Sequence, residues 1–293
     1  MAIDVLRLFK NCENIIMMPA NRGLRVFAPL FLFYNKFYHR RIHYVVIGGW
    51  LDSFLDEHKW LVRLLKKFDA IYVESDMMKS ALQRRGFENA VVMYNFKELE
   101  PLAESDIEYP KSEPYKLCTF SRVMKEKGIE DAINAVESVN AHFGRTVYTL
   151  DIFGQVDVEY KERFSQLEKS FPDYISYGGA IEANKSVETL KSYFALLFPT
   201  YYKGEGFAGT LIDAISAGVP VIASDWKYNP EFVVHGKTGV IIKNCNAERL
   251  AEELINIAAA PEKWNSMRLS ALKESEKYKP DIAARPLIDR ING

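Results

Sequence analysis

Three glycines and two acids fall close together in the segment 195–224, which reads ALLFPTYYKGEGFAGTLIDAISAGVPVIAS. An apolar run ends at Pro199, a glycine-rich loop follows, a helical pattern opens near Thr210, and a second apolar run starts at Val219. Gly204, Gly206 and Gly209 let a backbone approach a ligand closely. The amides of Phe207, Ala208, Gly209 and Thr210, at the start of a helix, suit a diphosphate. Glu205 and Asp213 stand eight positions apart, and each carboxylate can accept hydrogen bonds from vicinal hydroxyls such as those of a sugar or a ribose. The chemistry implied is recognition of a phosphorylated, polyhydroxylated molecule. Asp213 taken alone reads equally as a helix-surface acid. Glu205, set among glycines, has little packing value, and a loop residue without a packing role points to function.

A loop of this kind works at the carboxyl ends of parallel strands, and the rest of the chain supplies them. Short apolar runs at 15–18, 43–47, 70–74 and 91–93 form one set of strands; 116–120, 147–153, 174–177, 195–199, 219–223 and 240–242 form a second. Amphipathic patterns at 51–68, 77–86, 128–143, 210–217 and 247–259 alternate with them. Strands that are apolar throughout and alternate with helices predict α/β architecture, with doubly wound, Rossmann-like parallel sheets covered on both faces. The acidic stretch 99–114 carries Pro101, Pro110 and Pro114 and reads as an exposed linker. The expected domains are therefore 1–104 and 105–279, with 280–293 a final helix returning to the first. Four strands against six make the first domain the shorter one.

With these elements in place, the chain resembles the group 1 (family 4) retaining glycosyltransferases. The family has the two-lobed GT-B fold, and its hallmark is a glutamate, seven residues, then a second glutamate. Here the motif is EGFAGTLID, so aspartate fills the second position. The resemblance runs on through AGVPVIAS, NPEFVVHGKTGVII and AERLAEEL, and upstream through FSRVMKEKGIEDAI and LDIFGQV, covering most of residues 115–260. It implies that Arg122 and Lys127 hold a departing diphosphate, that Gly154 forms the glycine turn after the next strand, that Glu205 binds the transferred sugar, and that Asp213 binds the ribose. Aspartate is one methylene shorter than glutamate, so the ribose contact is where this chain departs from the family. HYVVIGGWLDSF places Gly48 and Gly49 where many members carry a histidine beside the acceptor, and the run ending MYNFKEL places Asn95 near the cleft. The family's opening strand and glycine loop have no counterpart before these segments, which makes the first domain read as incomplete.

The implied reaction moves a sugar from a nucleotide-diphosphate-sugar to a saccharide or lipid-linked acceptor hydroxyl with retention, in polysaccharide or glycolipid assembly. It uses no cofactor beyond the donor itself, and no metal, because Asp157-Val-Glu159, the nearest approach to a D-x-D motif, falls at a helix start. Other readings stay open: a nucleotide-sugar binder unable to transfer, an epimerase or hydrolase on the same fold, and a nicotinamide enzyme. For the last, Gly204, Gly206 and Gly209 spell G-x-G-x-x-G with Asp225 further on, although the glycines come several residues after the strand.

Lysine plus arginine number 38 against 39 acids, so no overall field draws the chain to nucleic acid. The three cysteines, Cys12, Cys118 and Cys245, form neither a disulfide framework nor a metal clip and suit a reducing cytoplasm. The apolar run 26–34 is broken by Pro29 and is shorter than the ~20 residues of a membrane span. The basic, aromatic stretch 36–43 (KFYHRRIH) has two readings: a peripheral patch for the inner membrane face, or a solvated helix end beside a buried strand. Its few cations favour the second.

Overall fold

The computed structural model describes residues 2–293. All ten expected strands form: β1 (Asn14–Met17), β2 (Arg41–Val45), β3 (Ala70–Val73), β4 (Ala90–Val92), β5 (Tyr115–Phe120), β6 (Tyr148–Phe153), β7 (Ile175–Gly179), β8 (Ala195–Phe198), β9 (Val221–Ser224) and β10 (Gly239–Ile242). They make two wholly parallel sheets, one in the order β1-β2-β3-β4 and the other β10-β9-β8-β5-β6-β7. The chain divides into two compact units. One comprises the chain up to Phe96, Lys203–Phe207 and Pro280–Gly293; the other comprises Lys97–Tyr202 and Ala208–Lys279.

In the second unit β5 is the first strand laid down and lies at the middle of its sheet. It pairs with β6 on one side (Leu117↔Leu150) and with β8 on the other (Leu117↔Ala195). Winding therefore reverses between β5 and β8, and the crevice outside the carboxyl ends of the strands at such a reversal is where doubly wound sheets bind ligands. The helices Ile129–Phe143 and Ala247–Ala259 share one apolar core with this sheet, joining Ile133, Val136, Leu250 and Leu254 to Leu117, Leu150 and Ile152. Each such fully buried aliphatic side chain contributes ~1.5–3 kcal/mol. Asn140, buried at the end of the first of these helices, donates to Tyr148 O at 2.9 Å and accepts from the amides of Val147 and Tyr148 at 2.9 and 3.0 Å. That clasp fixes where β6 begins. The stretch 99–114 is tied in as well as exposed: Leu102 N donates to Ser216 O at 2.8 Å and Ile107 is buried.

In the first unit every residue of β3 is buried, as strands covered on both faces require. Val45, Ala70, Tyr72 and Met93 pack with Leu287 of the terminal helix Arg285–Asn292. Three features differ from expectation. The helices Ala2–Asn11 and Asn21–Tyr38 are additional. The second takes up the whole run 26–34 and passes through Pro29, because Leu24, Ala28 and Phe31 bury one stripe at helical spacing. The helical pattern 51–68 is two helices, Leu51–Glu57 and Lys59–Leu65, broken at His58, whose ring stacks on Phe54. In the basic stretch, Arg40 donates to Phe9 O, and Arg41 to Arg290 O and Ile291 O. His43 is buried between Asn14 and Tyr72. Much of that stretch therefore binds the chain's own backbone. No described helix is long and apolar enough to cross a membrane.

Candidate functional site

Two clusters of loops form at the carboxyl ends of strands, one in each unit. In the second unit, β5 runs out at Phe120 and the chain turns through Ser121 and Arg122, with Arg122 Nη1 3.7 Å from Asp157 Oδ2 and its side chain largely exposed. Asp157 caps the short helical turn Val158–Tyr160 by accepting from Glu159 N, the helix-start role expected of it. The segments after β5 and β6 are laced together, Val123 N donating to Gln155 O and Asp157 N to Val123 O, both at 2.9 Å. Gly154 is obligatory at this junction. Its φ is +135°, and a Cβ there would lie 1.8 Å from Ser121 O. Phe120, Ser121, Phe153, Gly154, Gln155, Ala180 and Ile181 line a cleft of about 250 Å³ beside it.

Lys127 ends the turn Lys125–Lys127, which is docked on the end of β8: Tyr201 N donates to Glu126 O at 2.8 Å and Thr200 Oγ1 to the same oxygen at 3.2 Å. Its ammonium lies 5.3 Å from the ring centroids of both Phe198 and Tyr202, within cation–π range of each. Arg122 and Lys127 thus both follow the carboxyl end of β5, Lys127 in a turn docked against the end of β8, and Gly154 follows β6. The helix Gly209–Ser216 follows β8, and its N-cap, Ala208, offers no side-chain cap. The N-cap therefore gives the first amides of that helix no side-chain acceptor, the arrangement that an anion site uses. Thr210 Oγ1, in the same turn, is buried with no hydrogen-bond partner.

Asp213 departs from the expected ribose-binding geometry. It is 1% exposed, Lys97 Nζ lies 2.5 Å from its Oδ2, and its Oδ1 is buried without a partner. The short side chain is buried, and the group that meets it is the partly exposed ammonium of Lys97.

In the first unit Glu74, at the end of β3, organises the second cluster. Its Oε2 accepts from Gly48 N at 3.2 Å and Phe207 N at 3.0 Å. Burial holds its carboxyl above the ordinary value; the two amide bonds oppose that rise, and the neighbouring charge of Glu205 adds to it. Gly206 fits this knot only as glycine, since a Cβ would sit 2.4 Å from Glu74 Oε2 and 2.6 Å from Gly48 Cα. Glu205 itself is 6% exposed. Asn95 Nδ2 donates to Phe207 O at 3.0 Å, and Asn95 Oδ1 accepts from Phe96 N. Gly48 and the buried Gly49 form the turn between β2 and the helix Leu51–Glu57. The sequence-predicted Gly48, Gly49, Asn95, Gly206 and Phe207 therefore gather around Glu74, with Glu205 close by. The expected diphosphate cradle loses one member: the amide of Phe207 is engaged by Glu74, because a buried carboxylate needs donors and this amide supplies one.

Glu74 and Lys97 are the residues the sequence reading missed. An acid closing an otherwise apolar strand, directly before the capping Ser75, was the available signal for Glu74; nothing local singled out Lys97. Asp225, the acid a nicotinamide site would use, accepts from Asn244 N at 3.2 Å. Among the described residues no three His, Cys, Asp or Glu side chains are placed to hold a metal ion.

Comparison with known proteins places these features in context. The family profile of glycosyl transferases group 1 matches residues 103–274. The GtfA subunit of the UDP-N-acetylglucosamine–peptide N-acetylglucosaminyltransferase of Streptococcus gordonii is 30% identical over 178 residues, which make up 58% of this chain and 34% of that protein. The poly(glycerol-phosphate) alpha-glucosyltransferase of Bacillus subtilis is 26% identical over 184 residues, 61% of this chain and 26% of that protein. The match thus spans about a third or less of each of these relatives. Among solved structures, Anabaena HepE in complex with UDP superposes with a TM-score of 0.79 at 15% identity, covering 99% of this chain and 81% of that one.

Proposed function

The chain belongs to the group 1 glycosyl transferases, and on that premise we propose that it transfers a sugar from a nucleotide diphosphate to an acceptor hydroxyl, with retention at the anomeric carbon. The observation that carries this reading is the second unit's crevice, where Arg122, Lys127 and the uncapped start of the helix Gly209–Ser216 lie at the winding reversal of a doubly wound sheet. Cleaving the donor bond leaves charge on the diphosphate. Cations and amides already in place stabilise that charge without reorganising, and removing one such contact costs ~10²–10³ in rate. Arg122 supplies a planar fork and Lys127 a point charge. The leaving phosphate accepts the acceptor's proton, Glu205 takes hydrogen bonds from the sugar, and charge compensation rests on side chains instead of a metal ion.

Relatives support the donor class without choosing its base. The Streptococcus gordonii subunit is named for UDP-N-acetylglucosamine, and a Mycobacterium tuberculosis relative, 22% identical over 202 residues, is named for GDP-mannose. The acceptor, saccharide or lipid-linked, belongs to polysaccharide or glycoconjugate synthesis, and the proposed setting is the cytoplasm, with peripheral contact at the inner face of the membrane. Calorimetric titration of the chain with UDP, GDP and NAD tests the reading, followed by a radiolabelled transfer assay with the matching UDP- or GDP-sugars. Tighter binding of UDP or GDP than of NAD is expected. NAD binding more tightly than both would refute it, and nucleotide-sugar binding with no transfer to any glycan would reduce the chain to a binder.

A further inference from the structure

We infer that Lys97 is a donor-binding residue that meets the diphosphate directly, and that Asp213 acts through Lys97 instead of touching the ribose. This rests on the proposed nucleotide-sugar function and deepens it. The Lys97 side chain is draped over the first helical residue: a Cβ on Gly209 would lie 2.8 Å from its Cε and 3.4 Å from its Nζ. Its ammonium therefore stands beside the first turn of the helix Gly209–Ser216, the positive end of the helix dipole, where a cation is disfavoured. What offsets that is Asp213 directly beneath, Oδ2 to Nζ 2.5 Å.

The two partners differ in access. Asp213 retains 2% of its side-chain exposure and Lys97 retains 32%, so an incoming ligand reaches the ammonium and not the carboxylate. Thr210, 9% exposed and with an unpartnered Oγ1, adds a hydroxyl donor to the same turn as the uncapped amides. An ammonium, a hydroxyl and helix-start amides are all donors, and the ligand they suit is an anion with several acceptor oxygens, the phosphates of a nucleoside diphosphate. The shorter aspartate is thereby explained, because it leaves room above it for the lysine head.

The test is calorimetric titration of the full chain and its variants with UDP, GDP and the matching nucleosides, uridine and guanosine, alongside thermal unfolding. Lys97→Met should weaken the preferred diphosphate on the order of 10–100-fold, the range for a lost hydrogen bond to a charged group, while changing nucleoside affinity less than about 2-fold. Lys97→Arg should recover most of the loss, because its fork also binds phosphate. Asp213→Asn should shift diphosphate affinity in the same direction, since the ammonium loses its anchor. Unchanged diphosphate affinity in Lys97→Met overturns the inference. So does an equal loss for diphosphate and nucleoside with a lowered Tm, which would make the pair structural. A wild-type chain that binds neither UDP nor GDP overturns the nucleotide-sugar reading and this inference with it, whereas tight wild-type binding that Lys97→Met leaves intact overturns only the role of Lys97.

Discussion

Gly154→Ala is the substitution whose outcome the structure fixes most closely. At φ +135° a side chain is strained wherever the neighbours are, at a cost of ~1–3 kcal/mol. The neighbour here is also rigid. The new Cβ would start 1.8 Å from Ser121 O, a backbone atom, and contacts below 3.0 Å are essentially never seen, so the chain after β5 has to retreat by at least 3.0 − 1.8 = 1.2 Å. Arg122 is the next residue and moves with it. For a unit of this size 1 kcal/mol is worth ~2–4 °C, so the Tm should fall by roughly 2–12 °C. A ligand-positioning error near 1 Å can cost ~10²-fold in rate, so transfer should drop by about two orders of magnitude at a temperature where the variant is still folded. Differential scanning calorimetry and a radiolabelled transfer assay at 15 °C read the two effects separately. Gly144→Ala is the matched control. Gly144 also has positive φ, +65°, but nothing within 4 Å of its Cβ position, so it should lose at most a few degrees and no activity. If Gly154→Ala behaved like Gly144→Ala, the steric argument and the placement of Arg122 by that junction would both be wrong.

Other expectations follow from the same geometry. Lys127→Met keeps an apolar stem over Phe198 and Tyr202 and should lose ~10²–10³ in rate with little change in Tm, so a large drop in Tm would recast the lysine as structural. Asn140→Ala strands two amides and a carbonyl beside β6 and should cost ~2–4 kcal/mol in urea unfolding while leaving UDP affinity unchanged. Glu74 has its pKa raised chiefly by burial, so the folded chain takes up this proton at a higher pH than the unfolded one. Stability then grows as pH falls from 7 toward the ordinary carboxylate range, at about 4.5. Comparing Tm at pH 7 and 4.5 for wild type and Glu74→Gln should show the wild type gaining relative to the variant as pH falls, and parallel profiles would refute it.

The strands were legible because each is a short run of apolar residues bounded by polar or turn residues, a pattern that parallel sheets impose and little else imitates. The glycine loop and its acids were legible for a similar local reason, since three glycines in six residues have few structural explanations. Non-local partnerships were not. Glu74 meets Phe207 across 133 residues and Lys97 meets Asp213 across 116, and no window along the chain contains both members of either pair. The helix Asn21–Tyr38 was obscured differently. Its apolar run and Pro29 carry no helical signature of their own, and only packing of Leu24, Ala28 and Phe31 settles the conformation.

A single oxygen atom, Glu74 Oε2, serves as common acceptor for two loops far apart along the chain. Neither loop can then be redesigned on its own. Grafting a different turn in place of residues 47–50, or lengthening 203–207, would strip a donor from a carboxylate that water scarcely reaches, and the penalty would surface in the untouched loop as lost order. Anyone wishing to retarget this protein by exchanging loops should treat position 74 as part of both inserts, replacing it by a neutral side chain whenever either amide is given up.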